Sequence, residues 1–259
     1  MNASLEAKIA GLKVLLANIE QNFAPAAFAS SFGAEDMVLL DLIARHGKGI
    51  EVFTLDTGRL PSETLNLMHR AQAKYDIDVT SYTPAASAVQ NYVDSVGLNG
   101  FYDSIENRKA CCHIRKVEPL ARALSGKRAW LTGLRREQAP TRADLGESEI
   151  DATHSLTKFN PLIEWTNDDV WNYIRANNVP YNALHDRGYP SIGCEPCTRA
   201  VKSGEDARAG RWWWESKADQ KECGLHVADS SAASAIPAYA SIAINIINVI
   251  ENPVQKASV

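Results

Sequence analysis

The chain has 259 residues, of which 45% are hydrophobic and 22% are charged, and its formal net charge at pH 7 is −4. This composition is ordinary for a globular protein with one large α/β domain or two small ones, and the negative charge disfavours general nucleic-acid binding. The sequence has neither a secretory signal pattern nor an apolar run of about 18 residues, so we expect a cytoplasmic protein with no membrane partner.

Hydrophobic spacing predicts helices and strands that alternate along most of the chain. In chain order we expect a helix over 4–20, a strand over 26–32, a helix over 35–47, a strand over 50–58, a helix over 62–75, a strand over 77–83, a helix over 115–126, a strand over 127–135 and a helix over 166–178. Ser62 is predicted to open a capping box, and Thr166 is predicted to be an N-cap. The alternation implies right-handed crossovers, so the predicted fold is α/β, with a mostly parallel sheet flanked by helices on both faces.

Three polar loops follow predicted strands, at residues 30–36, 55–63 and 132–142. Ligands of open α/β sheets bind where the strands end, so these loops are candidates for a binding site. The first, "SSFGAED", places hydroxyl groups and a glycine before a helix N-terminus, which suits an anion or a ribose. It lacks the lysine of a Walker A loop, so on its own it is a weak indication of phosphate binding.

Basic residues are clumped although the chain is acidic overall. They occur within residues 108–116, at 135, 136 and 142, and at 199, 202, 208 and 211. Solvated surface charge explains any single clump, whereas several clumps together favour a pocket for a small polyanion.

The five cysteines include two pairs. Cys111 and Cys112 are adjacent, and a disulfide between neighbours would be strained because their Cα atoms lie only about 3.8 Å apart. Cys194 and Cys197 form a C-x-x-C on a predicted turn, too late in the chain to suggest a thioredoxin-like dithiol. Burial as small apolar residues, a zinc site and an iron–sulfur cluster all remain open. The adjacent pair modestly favours [4Fe–4S], because neighbouring cysteines can reach different irons of a cubane.

Cys223 is the cysteine left over, in "KECGLHV". It is either inert or a nucleophile on a glycine-containing segment, where Lys221 and His226 would favour the thiolate.

Together, "CCHIRKVEPL", "GCEPCTRAV", "RAGRWWWE" and "ECGLH" resemble the assimilatory adenylyl-sulfate reductases, and "SSFGAED" and "LDTG" match that family's nucleotide-binding loops. The resemblance runs from about residue 26 to 227. It implies an adenine-nucleotide hydrolase-like (PP-loop type) fold and reduction of adenosine 5′-phosphosulfate to sulfite and AMP by thioredoxin. We therefore expect a reductase domain over 1–227, with the catalytic segment at its end. Residues 228–259, small, apolar and nearly uncharged, depart from the family pattern and form an appended tail of unknown role.

The resemblance also implies roles for individual residues. Cys223 would attack the sulfate sulfur and form an S-sulfocysteine. A [4Fe–4S] cluster would be held by Cys111, Cys112, Cys194 and Cys197. The substrate would be bound by Ser30, Ser31, Gly33, the backbone at Leu55, Lys116, Arg142, Arg208, Arg211 and His226. Relatives are often homo-oligomers, and we favour core packing over ligand stacking for the run Trp212–Trp214.

Three alternatives remain open. The first is the same reaction on 3′-phosphoadenosine 5′-phosphosulfate. The second is a nucleotide-binding zinc protein without catalysis. The third is a sulfate-activating ATP enzyme of similar fold, which would have no need of the Cys223 thiol.

Overall fold

The computed structural model describes residues 3–215 of the chain, and its centre is a six-stranded sheet. The strands are β1 (Ala26–Ala29), β2 (Glu51–Leu55), β3 (Val79–Tyr82), β4 (Ala129–Leu131), β5 (Ser148–Asp151) and β6 (Leu156–Phe159). Their order across the sheet is β3-β2-β1-β4-β6-β5. All neighbouring strands run parallel except β5, which pairs antiparallel with β6. The predicted α/β fold with a mostly parallel sheet is confirmed.

Helices precede, connect and follow the strands. They are α1 (Ala3–Asn22), α2 (Ala34–His46), α3 (Ser62–Tyr75), α4 (Ala86–Val96), α5 (Ile105–Cys112), α6 (Glu118–Leu124) and α7 (Asn167–Ala176). A π-helical turn at His113–Val117 joins α5 to α6. None of the helices between residues 3 and 215 is long and apolar enough to cross a bilayer.

Two helix starts were predicted, with different outcomes. Thr166 caps α7 as expected, because its side chain accepts from the Asp169 amide and the Asp169 carboxylate accepts from the Thr166 amide. The capping box at Ser62 was wrong, because Pro61 is the N-cap of α3 and Ser62 is already helical. The Ser62 hydroxyl instead bonds to its neighbour Glu63. Proline at the cap position has no side-chain acceptor, so this helix begins without a side-chain cap.

The two faces of the sheet are covered by separate apolar cores. On one face, α1, α2 and α7 pack over Phe28, Leu131 and Phe159. On the other, α6 packs over Ala27, Phe53 and Trp130. Adjacent residues such as Ala27 and Phe28 enter opposite cores because successive side chains of a strand point to opposite faces. Helix α2 is buried along almost its whole length, which fixes its first turn against the sheet.

Strand order reverses between β1 and β4. From β1 the chain moves to β2 and β3 on one side, and then returns to place β4 on the other side of β1. The loops after β1 and β4 therefore diverge and leave a crevice at the carboxyl edge, where ligands of such sheets bind. The predicted domain boundary at residue 227 lies outside the described residues and stays a prediction.

Candidate active site

The predicted polar loops leave the sheet side by side at this crevice. The Ser30 amide, just after β1, donates to the carbonyl of Phe53 in β2 at 2.8 Å. The Thr132 amide, just after β4, donates to the carbonyl of Phe159 in β6 at 2.9 Å. Leu55 is the last residue of β2. Three of the residues expected to bind the nucleotide, Ser30, Ser31 and Leu55, therefore lie at the carboxyl ends of the adjacent strands β1 and β2.

The loop after β1 is organised around Asp36, in the first turn of α2. The amide and the hydroxyl of Ser31 both donate to Asp36 Oδ2, each at 2.6 Å. Gly33 is the N-cap of α2, and its amide donates to Ser31 Oγ at 3.4 Å. Burial raises the pKa of Asp36 to about 6, although the hydrogen bonds from Ser31 oppose that change.

The four paired cysteines line one small cavity. Cys111 and Cys112 are the last two residues of α5. A short 3-10 turn spans Glu195–Cys197. Cys194 is its N-cap and Cys197 is its last residue. Cys112, Cys194 and Cys197 are buried, and Cys111 is partly exposed. The fold thus gathers two thiol pairs separated by some eighty residues of chain.

The loop after β2 holds both cysteine-bearing segments. Thr57 Oγ1 lies 3.2 Å from Cys194 Sγ, and the Thr57 carbonyl accepts from Arg115 Nη1 at 2.6 Å. The Arg59 carbonyl accepts from the Glu195 amide at 2.8 Å. Because these contacts join β2, the π-helical turn and the C-x-x-C turn, the cavity is part of the rigid sheet scaffold.

Positive side chains surround the thiols. Those that line the cavity are Arg59, Arg108, Arg115, Lys116 and Arg211. Burial nevertheless raises the pKa of Cys111, and it raises that of Cys197 to about 12, with the neighbouring Cys194 acting in the same direction for both. Burial thus opposes ionisation of these thiols despite the surrounding positive charge. Between residues 3 and 215, however, no three His, Cys, Asp or Glu side chains are placed to bind a single metal ion.

Arg211 has an unusual environment. Its Nη1 donates weakly to Ser191 Oγ at 3.4 Å and to the Ile192 carbonyl at 3.3 Å, while its Nε is buried and has no hydrogen-bond partner among the described residues. A β-carbon at Gly193 would lie 2.2 Å from Arg211 Nη2, so only glycine leaves room for the guanidinium. An incompletely paired guanidinium beside the cavity is suited to an anionic ligand.

The remaining predicted residues are distributed as follows. Lys116 lines the cysteine cavity, but Arg142 and Arg208 are not among its lining residues. Arg142 is buried and donates to Gln138 in the loop after β4. The Arg208 amide donates to Asp206 in a surface turn. Cys223 and His226 lie outside the described residues.

Sequence reasoning assigned no role to several residues of this site. Thr57 and Arg59 contact the C-x-x-C turn from a loop some 137 positions away, so no local pattern connects them. The sequence feature that could have indicated a role for Thr57 and Arg59 was their position in the polar loop after a predicted strand. Asp36 had a weaker signal, its place in the first turn of a helix that follows a predicted polar loop. Trp212 is 1% exposed and packs in the core as predicted, whereas Trp213 is 48% exposed.

Comparisons with known proteins agree with this geometry. The phosphoadenosine phosphosulfate reductase domain family matches residues 25–200. The adenosine 5′-phosphosulfate reductase of Burkholderia cepacia is 52% identical over 240 residues, covering 93% of this chain and 94% of that protein. The protein of the same name from Allochromatium vinosum is 54% identical over 212 residues, covering 82% of each chain.

Solved structures show the same fold. The crystal structure of phosphoadenylyl-sulfate reductase from Candida auris, a phosphate complex, has a TM-score of 0.64 at 27% identity, covering 78% of this chain and 98% of that one. Yeast FAD synthetase in complex with FAD has a TM-score of 0.55 at 16% identity, covering 76% of this chain and 67% of that one, a likeness of fold alone.

Proposed function

This chain belongs to the phosphoadenosine phosphosulfate reductase domain family, and we propose that it reduces adenosine 5′-phosphosulfate to sulfite and AMP in sulfate assimilation. The observation that carries the proposal is the identity of about half of all residues, over nearly the whole chain, with enzymes named for this activity. The site adds a physical reason, since a cavity lined by thiols and five cationic side chains suits a sulfur-containing polyanion.

We propose that Cys111, Cys112, Cys194 and Cys197 hold a [4Fe–4S] cluster. The donor set fits, because thiolates are the ligands of such clusters and here four thiols share one largely buried cavity. Structural zinc sites usually take cysteine pairs spaced by two to four residues, so the adjacent Cys111 and Cys112 favour a cluster over a single zinc ion. When bound, the cluster would supply positive iron centres that compensate the thiolates beside the substrate.

The cations then bind the phosphosulfate. Lys116 and Arg211 lie at the cysteine cavity, and Arg211 has hydrogen-bonding capacity left for an anion. We propose that both contact the sulfate or phosphate oxygens, with Arg142 and Arg208 as further contacts. Their charge would also stabilise the negative charge that develops on the leaving phosphate. Ser30, Ser31, Gly33 and the Leu55 backbone, at the carboxyl edge, would hold the remainder of the nucleotide.

The nucleophile in this proposal is Cys223. Its thiolate attacks the sulfate sulfur, a sulfur–sulfur bond forms, the bond from sulfur to the bridging phosphate oxygen breaks, and AMP leaves with that oxygen. One thiol of reduced thioredoxin then attacks Cys223 Sγ and displaces sulfite, and its second thiol resolves the mixed disulfide. The substrate is thereby reduced by two electrons and the thioredoxin dithiol becomes a disulfide. This thiol chemistry is that of a reducing compartment, so we propose the cytoplasm as the location.

Peptide mass analysis tests the covalent step. Wild-type protein given adenosine 5′-phosphosulfate without reductant should gain one sulfonate group on the peptide that contains Cys223. Reduced thioredoxin should remove the group and release sulfite. Cys223→Ser should retain its metal and bind AMP, yet show negligible turnover, because a serine hydroxyl is hardly ionised near neutral pH. A label on another cysteine, or none during turnover, would refute the mechanism.

The relative from Candida auris is named for the substrate that carries a 3′-phosphate, so that nucleotide is the second candidate. Competition between the two sulfonucleotides decides between them. We expect kcat/KM to favour the substrate without the 3′-phosphate, and the reverse ratio would reassign the enzyme. Iron and sulfide quantitation, with the brown colour of the protein, distinguishes both from a non-catalytic zinc protein. The homo-oligomer expected from relatives stays a prediction.

A further inference from the structure

We propose that Asp36 is a positioning residue that fixes the Ser31 hydroxyl as a hydrogen-bond acceptor, so that Ser31 contacts a donor group of the adenosine and not the phosphosulfate. The inference rests on the proposed function and makes it more specific, because it divides the nucleotide site into an adenosine side and an anion side. It concerns two residues, Asp36 and Ser31, at the carboxyl end of β1.

The first observation is where the Ser31 proton goes. A serine hydroxyl has one proton and two acceptor lone pairs, whereas a carboxylate only accepts. Ser31 Oγ lies 2.6 Å from Asp36 Oδ2, a short distance typical of a hydroxyl that donates to a carboxylate. The Ser31 amide donates to the same oxygen at 2.6 Å, which holds the residue in place. The hydroxyl proton is therefore used within the protein.

The second observation is what Ser31 still offers a ligand. Ser31 is exposed, and one lone pair of its hydroxyl accepts from the Gly33 amide, with 3.4 Å between the nitrogen and Oγ. The other lone pair remains for a ligand. Phosphate and sulfate oxygens are themselves acceptors, so they would meet this lone pair unfavourably. The ribose hydroxyls and the adenine amino group are donors, so they match it.

The third observation is that the surroundings are built for Asp36. Its side chain is buried, and the Gly133 amide, in the loop after β4, also donates to it. A β-carbon at Gly133 would lie 2.1 Å from Asp36 Oδ1, so glycine is needed there. Asp36 thus connects the two loops that diverge at the strand-order reversal.

Charged groups of α2 and of the loop after β4 lie near Asp36. Glu35 is its neighbour on α2 and disfavours a second negative charge. Arg135, from the loop after β4, pairs with Glu35 at 2.8 Å. The pKa of Asp36, raised to about 6 by burial, keeps the carboxylate ionised at pH 7.5 but not at pH 5. Once protonated, Asp36 can donate to Ser31 and release the hydroxyl proton, so nucleotide affinity should change near pH 6.

Calorimetric titration of the full-length metal-loaded protein tests the proposal. The probes are AMP, 2′-deoxy-AMP, 3′-deoxy-AMP, IMP and inorganic pyrophosphate, at pH 7.5. We expect Ser31→Ala to weaken AMP binding about tenfold, the effect of one lost hydrogen bond. One of the three analogues should lack the nucleotide group that donates to Ser31, and Ser31→Ala should leave the affinity for that analogue unchanged. The variant should also leave the affinity for pyrophosphate unchanged. Three results would each overturn the assignment. Ser31→Ala could weaken the binding of every probe equally, it could weaken the binding of all three analogues as much as that of AMP, or it could leave AMP binding unchanged.

The Asp36→Asn variant tests the positioning role. We expect AMP to bind about tenfold more weakly at pH 7.5, with a raised KM and a nearly unchanged kcat. The change in affinity near pH 6 should be larger in wild-type protein than in the variant, where only the second ionisation of the AMP phosphate, also near pH 6, remains. Asp41→Asn is the matched control, a second buried aspartate on the same helix, where Asp41 accepts from Tyr173 at 2.6 Å. The control should lose stability but keep AMP affinity.

The outcomes separate the two proposals. If wild-type protein turns over sulfonucleotide and Asp36→Asn matches it in AMP affinity and pH profile, the inference about Asp36 is wrong while the proposed function stands. Wild-type protein that binds none of the nucleotides overturns the proposed function, and the inference with it.

Discussion

Arg108 and Glu215 form a bidentate ion pair that is almost completely buried. Arg108 Nε lies 2.8 Å from Glu215 Oε1, Nη2 lies 3.0 Å from Oε2, and only 1% and 4% of the two side chains are exposed. The Trp212 ring lies near both Arg108 and Arg211, at 4.7 and 4.8 Å. The pair joins the cysteine-bearing helix α5 to the last described residue, eight positions before Cys223.

Glu215→Ala is expected to lower the free energy of unfolding by about 3–5 kcal/mol, because it removes the carboxylate that pairs with the buried Arg108 charge. Urea denaturation of the metal-loaded protein measures the change. Glu205→Ala is the control, since the Arg199–Glu205 pair is solvent-exposed, with 34% and 29% of its side chains accessible, and should contribute far less to stability. If Glu215→Ala and Glu205→Ala lower the free energy of unfolding equally, burial does not make the Arg108–Glu215 pair the more important one.

The fold was largely predictable because its strands and helices differ in period. The strands β1, β2 and β4 are short apolar runs, and each lies close to a predicted position. Strand β5 was missed because Ser148–Asp151 is a short, mostly polar edge strand with no apolar alternation. The predicted strands were also too long, since Ser30 and the residues after Leu55 leave the sheet to build the crevice.

The site was predictable in its residue types more than in its geometry. Both cysteine pairs were visible as patterns, and the structure places all four thiols around one cavity. The contacts of Thr57 and Arg59 with the C-x-x-C turn depend on strand order, which no local pattern encodes. The role of Asp36 depends on the approach of Gly133 from a different loop, which is equally invisible in sequence.

Cys194→Ser tests the metal site. A serine hydroxyl is a poor iron ligand, so we expect loss of iron, of labile sulfide and of most activity. Iron and sulfide quantitation with a visible spectrum gives the result. Cys223→Ser, prepared in parallel, should retain full iron, because Cys223 is not among the four proposed ligands. Full iron in Cys194→Ser, or zinc without sulfide in wild-type protein, would refute the cluster.

Arg211→Ala and Arg142→Ala are expected to weaken sulfonucleotide binding by up to about 3 kcal/mol, the scale of a lost charged hydrogen bond. Inhibition by AMP and the KM for the sulfonucleotide measure the effect. Arg175→Ala is the control, because that side chain is exposed and, within residues 3–215, bonds only to Asn172 of α7. If Arg211→Ala and Arg142→Ala both bind sulfonucleotide with wild-type affinity, the proposal that the basic clumps bind the phosphosulfate is wrong.

Gly193→Ala tests the position of Arg211 without removing its charge. The new methyl group would lie 2.2 Å from Arg211 Nη2, so the guanidinium must move away from its place beside the cavity. We expect binding to weaken nearly as much as in Arg211→Ala. Gly11→Ala is the matched control in α1, where no atom of another described residue lies within 4 Å of the new methyl group. The control should raise stability by about 0.5–1 kcal/mol through helix propensity and leave binding unchanged.

Stability against pH tests the environment of Asp36. Its pKa is raised from 3.8 to about 6 in the folded protein, chiefly by burial, so the fold prefers the protonated form. The stability contributed by that preference is complete below about pH 4 and is lost as the pH rises through 6. Asp36→Asn cannot ionise, so we expect it to be more stable than wild-type protein at pH 7.5, by about 1–3 kcal/mol.

This gap should narrow as the pH falls from 6 towards 4, because wild-type Asp36 becomes neutral there. Denaturant unfolding between pH 4 and pH 8 measures it. Glu205→Gln serves as the control, since the pKa of Glu205 is lowered to about 2 by Arg199, and its difference from wild-type protein should stay flat above pH 5. A constant gap for Asp36→Asn would show that the carboxylate is solvated. A stability gain combined with weaker AMP binding would mean that a buried charge is retained at this position for nucleotide binding, at a cost in stability.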